Sequence, residues 1–189
     1  MNTSTNPLVI QSRTWIMNSL ISLMKTKNFK DITISEIAKH ADLSRRTFYR
    51  IFDSKEDVLE SYFDFLADQF IAKISSYETF DCNDALRELF SLCTEYKGFF
   101  YALKRSDMLS FMLSKWNVIL PKIHAQMLSK LTSFPTTKND KSLEYLLSFN
   151  VGGTFNMIIK WIDEGMDLSP GELADIVQEF SGGSLIAKK

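Results

Sequence analysis

Apolar residues recur at three- and four-residue steps through most of the chain, the period of a helix that buries one face. Over 12–27 the stripe is Ile16, Leu20, Leu23 and Met24, with polar residues opposite. A short helix follows Thr33, with Ile34, Ile37 and Ala38 turned inward. Thr33 with Glu36 three residues on forms a capping box, in which side chains satisfy the unpaired donors of a helix start. Ala41-Asp42-Leu43 predicts a tight turn. Ser44 then caps a third helix over 45–52, and Ser54 a fourth that runs towards Ser75, with Asp57 at its capping-box position. Further on, the spacing predicts helices over 83–95, 99–104, 108–131, 142–164 and 169–180. Pro121 is expected to bend or split the 108–131 element. Gly165 is the expected C-cap of the 142–164 helix. Ser169-Pro170 opens the last helix, and Gly182-Gly183 ends it. The clearest loop by composition is SFPTTKND at 133–140. No alternating stretch is long enough for a strand, and no internal repeat is visible. The fold class expected is all-α.

Composition adds a division of charge. The 189 residues are 45% hydrophobic and 24% charged, an ordinary globular balance that excludes a disordered or collagenous chain. The net charge of −1 hides an asymmetry: residues 1–55 carry nine Lys/Arg against four Asp/Glu, a net of +5, so residues 56–189 hold −6. A basic head on a mildly acidic body points to a polyanion partner and to domains at 1–55 and 56–189. Cys82 and Cys93 make no disulfide framework, which fits a reduced compartment. Residues 1–15 lack the pattern of a secretory signal. The longest uncharged run, 145–159, is shorter than the roughly 20 residues of a membrane span. A cytoplasmic protein with no membrane partner is expected. His40, His124 and the two cysteines have no metal-ligand spacing, so no metal is expected. No phosphate-cradling or nucleophile motif appears, so neither a cofactor nor an enzyme is expected.

The chemistry concentrates in 33–55. Two short capped helices are joined by a three-residue turn, with small Ala38 at the crossing and Ile34, Ile37, Leu43, Phe48 and Phe52 as apolar contacts. That is a helix-turn-helix by construction. Phe48 and Phe52 must face inward, so Arg46 and Arg50 face outward, flanked by Thr47 and Tyr49. Ser44 and Arg45 stand at the helix start, the end that reaches base edges in this motif. Guanidiniums, a hydroxyl and a phenol on one exposed face suit bases and phosphates. A merely solvated face is the weaker reading in this context. Thr33 is a cap first and a phosphate neighbour second. Lys55 opposes the dipole of the helix it begins, which argues for an external phosphate.

At Ile37-Ala38, Ala41, Ser44, Thr47, Phe48, Tyr49, Phe52, Ser54 and Lys55 the sequence resembles the TetR/AcrR family of bacterial transcriptional regulators, over about 16–59. It departs at Asp42, where the family has the turn glycine, and at Ile51, where a histidine is usual. The resemblance implies that Tyr49 and Lys55 grip phosphates and that Arg45, Arg46 and Thr47 approach bases. It also implies a C-terminal helical domain that binds a small effector and dimerises through its last two long helices, here 142–164 and 169–180. Independently, 142–164 is apolar around much of its circumference, more than a small monomer should expose.

Between 96 and 116 aromatic residues and methionines are dense. An apolar or aromatic effector is expected between 99–116 and the long helix, near Phe99, Met112, Trp116, Phe155 and Ile159. Ordinary core is the alternative for these five. The function expected is a homodimeric, ligand-responsive regulator of double-stranded operator DNA, a repressor released by its effector. Two rivals are an activator or co-regulator with the same head, and an all-α ligand-binding protein or enzyme with a vestigial head. The last predicts no salt-sensitive DNA binding.

Overall fold

The computed structural model describes residues 6–130 and 140–183. Among these, nine α-helices follow one another with two 3-10 turns and no strand: α1 (Pro7–Met24), a turn at Phe29–Asp31, α2 (Ile34–His40), α3 (Arg45–Ile51), α4 (Lys55–Ser75), α5 (Cys82–Glu95), α6 (Lys97–Arg105), α7 (Leu109–Met127), a turn at Leu128–Lys130, α8 (Asp140–Asp163) and α9 (Pro170–Gly183). The all-α expectation is met. No helix among the described residues is long and apolar enough to cross a membrane.

Several elements differ from the sequence reading by a few residues. α1 begins five residues before 12: Asn6 caps it, its side chain accepting from the Leu8 N–H at 3.0 Å, and Pro7 takes the first turn. The missing N–H of proline costs nothing there. Periodicity missed this turn because Leu8 and Ile10 are exposed while Ser12 is buried. α7 runs through Pro121 unsplit, since one proline removes a single intrahelical bond. α8 begins at Asp140; the rest of the loop expected at 133–140 lies outside the described residues.

Three helices stop by one device. At the ends of α2, α6 and α8 a residue enters the left-handed region, namely Asp42 (φ 54°), Asp107 (φ 56°) and Gly165 (φ 84°). The next N–H then reaches back to the last turn: Leu43 to the Ala38 carbonyl at 2.9 Å, Met108 to Leu103 at 2.9 Å and Met166 to Trp161 at 2.8 Å. Two carbonyls per helix end are satisfied in this way. Asp tolerates the conformation better than most residues, so α2 turns into α3 without glycine.

The chain forms two compact units. One runs to Leu66 and takes in Gly98–Met108; the other holds Ala67–Lys97 and the described residues from Leu109 on. Packing therefore divides inside α4, eleven residues beyond the boundary at 55/56 suggested by charge. The cause is apolar burial: Val58, Leu59, Tyr62, Phe63 and Leu66 are all buried, and the rings of Tyr62 and Phe63 lie 4.9 and 6.1 Å from that of Phe99. In the first unit α1, α2 and α3 pack against one another around Ile16, Leu20, Ile37, Ala38 and Phe48, each at most 1% exposed. In the second, α5 packs on α9 and α7 on α8, with Phe90 edge-on to Trp161 at 5.8 Å.

Candidate nucleic-acid interface

Both helices of the motif are capped as their sequences require. The Thr33 hydroxyl accepts from the Glu36 N–H at 3.2 Å, and the Glu36 carboxylate accepts from the Thr33 N–H at 2.9 Å. Glu36 also accepts from the Lys27 ammonium and the Thr33 hydroxyl. The Lys27 hydrogen bond, followed by those from Thr33, lowers the Glu36 carboxyl to about 2. At α3 the Ser44 hydroxyl accepts from the Thr47 N–H at 3.0 Å and lies 2.9 Å from the Thr47 hydroxyl. At α4 Ser54 accepts from the Asp57 N–H at 3.1 Å, while Asp57 reaches back to the Asp53 N–H at 3.3 Å.

Phe48 is fully buried and Phe52 nearly so, their rings 6.1 Å apart. Arg13 lies 4.6 Å over the Phe52 ring and donates to Ser61 at 2.5 Å. This anchorage turns the other side of α3 outward. Ser44, Arg45, Arg46 and Arg50 are exposed, Thr47 is half-buried, and Tyr49 is 49% exposed with its ring edge-on to Phe48. Thr33 is also exposed. The structure thus brings Ser44, Arg45, Arg46, Thr47, Tyr49 and Arg50 onto one short helix and its cap.

The acceptors of the arginines separate that helix from the rest of the chain. Of six arginines, Arg13 donates to Ser61, Arg87 to Asp175, and Arg105 to the carbonyls of Met24, Lys25 and Lys27. The other three are Arg45, Arg46 and Arg50, and none of them has an acceptor among the described residues. No acidic residue stands in the first turn of α3. Two guanidiniums therefore sit together at the positive end of a helix, an arrangement that an outside anion relieves.

Lys55 behaves differently. Its ammonium donates to the carbonyls of Phe29 at 2.7 Å, Ile32 at 2.8 Å and Lys30 at 3.1 Å, and lies 4.7 Å from the Phe29 ring centre. All three protons have acceptors within the chain. These carbonyls account for a cation at a helix start without an outside phosphate. Sequence reasoning missed Arg105, which holds the end of α1, and Ser106, whose hydroxyl accepts from the Phe29 N–H at 3.0 Å. Their partners lie 77–81 residues away, so no local pattern marks them.

Of the expected effector residues, Met112, Trp116, Phe155 and Ile159 belong to the second unit and Phe99 to the first. Met112 and Phe155 are buried, Trp116 and Ile159 half-buried. Trp116 packs edge-on against Phe70 at 6.0 Å. Phe99 is buried, 5.4 Å from Phe100 and against Tyr62 and Phe63. Burial pushes the Cys93 thiol up to about 12, which suits a packing residue and not a nucleophile. No group of three or more His, Cys, Asp or Glu among the described residues could hold a metal ion.

Residues 16–62 match the family model of bacterial regulatory proteins, tetR family. Residues 81–183 match that of a transcriptional regulator C-terminal region. A stretch of 42 residues is 50% identical to the HTH-type transcriptional regulator EthR of Mycolicibacterium smegmatis (strain ATCC 700084 / mc(2)155). It covers 22% of this chain and about a fifth, 19%, of that relative. The dihydroxyacetone kinase operon activator DhaS shares the fold, with a TM-score of 0.65 and 21% identity over 90% of this chain and 94% of that one. So does the transcriptional regulator FadR of Bacillus subtilis, solved with stearoyl-CoA, with a TM-score of 0.58 and 17% identity over 91% of this chain and 98% of that one.

Proposed function

The chain belongs to the tetR family of bacterial regulatory proteins, and we propose that it is a cytoplasmic, homodimeric repressor whose α3 reads operator DNA and whose helical body binds an apolar or aromatic effector. The observation that carries the DNA reading is the exposure of Arg45, Arg46 and Arg50 on α3 without acceptors among the described residues, with Arg46 and Arg50 held opposite buried Phe48 and Phe52. Ser44, Thr47 and Tyr49 border this face, and Tyr49, with Thr33 exposed at the cap of α2, would meet the phosphates.

The dimer reading rests on α8 and α9. Tyr145 is 70% exposed, Phe149 65% and Ile176 47%. A Cβ added at Gly152 or Gly153 would meet nothing within 4 Å, so a second copy could approach α8 closely there. A two-fold pair would set two copies of α3 about one DNA turn apart, ~34 Å. The effector reading rests on the apolar side chains Met112, Trp116, Phe155 and Ile159, and one fold relative was solved with stearoyl-CoA, a ligand that joins an apolar acyl chain to an anionic CoA group. Occupation of the body by the effector would favour a spacing of the two heads that no longer fits the operator.

Selection of bound fragments from a genomic library, followed by titration at several salt concentrations, tests this function. Retained fragments should carry a two-fold repeat, bind with a steep inverse dependence on salt, and be released by an apolar ligand. Light scattering at micromolar concentration should give a dimer. No fragment held above background would overturn the reading. Mapping the operator against its promoter separates repressor from activator.

A further inference from the structure

The proposed DNA contact can be taken one step further, to the base that is read. With Phe48 and Phe52 buried and 3.6 residues per turn, the ridge of α3 directly opposite the core is Arg46 and Arg50. Tyr49 and Thr47 lie on its flanks. Side chains that pair bidentately with adenine are Asn and Gln, those that accept from cytosine are Asp and Glu, and the fork that matches guanine O6 and N7 belongs to arginine. RRTFYRI, the whole of α3, contains no Asn, Gln, Asp or Glu. The Ser44 and Thr47 hydroxyls already face each other at 2.9 Å, and the Ser44 oxygen caps the helix. What remains as unengaged hydrogen-bonding capacity on this ridge is two guanidinium forks.

Resting on the reading that α3 enters the major groove, we infer that each operator half-site presents a guanine to Arg46 and a second guanine to Arg50. The two side chains stand four residues apart, ~6 Å along the helix, which is about two base-pair steps at ~3.4 Å each. The two guanines therefore lie within about two steps of each other. Tyr49, on the flank, holds the adjacent backbone.

The test starts from fragments selected by the wild-type protein. Each half-site guanine is replaced in turn by 7-deazaguanine, which still pairs with cytosine but lacks the N7 acceptor. Binding is measured with the wild type, Arg46→Ala, Arg46→Lys and Arg50→Ala, each first shown by a thermal melt to fold as the wild type. Two positions should each weaken wild-type binding by about tenfold. Arg46→Ala should lose the response at one of them and keep it at the other, and Arg50→Ala should do the reverse. Arg46→Lys keeps the charge without the fork, so it should keep the salt dependence and lose most of the discrimination. A half-site of A·T pairs alone overturns the inference. So do indifference of the wild type to 7-deazaguanine and an Arg46→Ala variant as sensitive as the wild type. In those cases DNA is still bound and the proposed function stands; a protein that binds no DNA overturns both.

Discussion

The outward ridge of α3 and the turn at Phe29–Asp31 both lie in the first compact unit and both are served by cations, yet the donors end in different places. Lys55 and Arg105 direct theirs at six backbone carbonyls between Met24 and Ile32. Arg45, Arg46 and Arg50 direct theirs at no acceptor among the described residues. The cations in the two regions carry the same sign of charge, which says nothing about role. The accounting of acceptors does: a cation that replaces the missing partners of a helix end is part of the fold, while one held exposed without an acceptor is available to a ligand.

The largest effect is expected at Arg105. It bonds three carbonyls where α1 ends, so Arg105→Ala should lower stability by about 2 kcal/mol, as for hydrogen bonds to a charged group. Urea melts measure this directly. A variant as stable as the wild type would remove Arg105 from the structural set.

Lys55→Met keeps an apolar stem for the Phe29 ring and deletes the three donors. A loss of about 1.5 kcal/mol is expected, with the slope of DNA affinity against salt unchanged. The comparison breaks if stability holds and the slope falls by about one, the mark of a lost phosphate contact.

Alanine at Arg45, Arg46 or Arg50 should move stability by no more than about 0.5 kcal/mol, as at surface sites without partners. The same melts check this beside the binding assays. A loss as large as that of Arg105→Ala would show these side chains to be part of the fold.

The smallest effect concerns acid. The Glu36 carboxyl, in the capping box of α2, is lowered from 4.5 to about 2 by Lys27 and Thr33. A depressed carboxyl stabilises the fold fully above its ordinary value and loses that contribution as pH falls towards its folded value. The advantage of the wild type over Glu36→Gln in thermal melts should be constant near neutral pH, shrink below about 4.5, and vanish near 2. A gap that persists in acid would show that the bond from the Lys27 ammonium does not depend on the carboxylate charge.

What the sequence determined by itself is local. The capping boxes at Thr33 and Ser169, the Ser44 cap, the left-handed turn at Asp42 and the opposition of Phe48 and Phe52 to Arg46 and Arg50 depend on residues within six positions of one another. Helical periodicity and cap chemistry express such relations directly. Only the tertiary structure decided that the first unit extends into α4 and borrows Gly98–Met108, and that Lys55 and Arg105 end on carbonyls 23–81 residues away. It also decided that Phe99 belongs with Tyr62 and Phe63, in the unit that does not hold Met112 and Phe155. A cation is compatible with a phosphate, a base or a carbonyl, and a phenylalanine with any apolar neighbour, so their partners are chosen by how the chain folds back and not by the residues beside them.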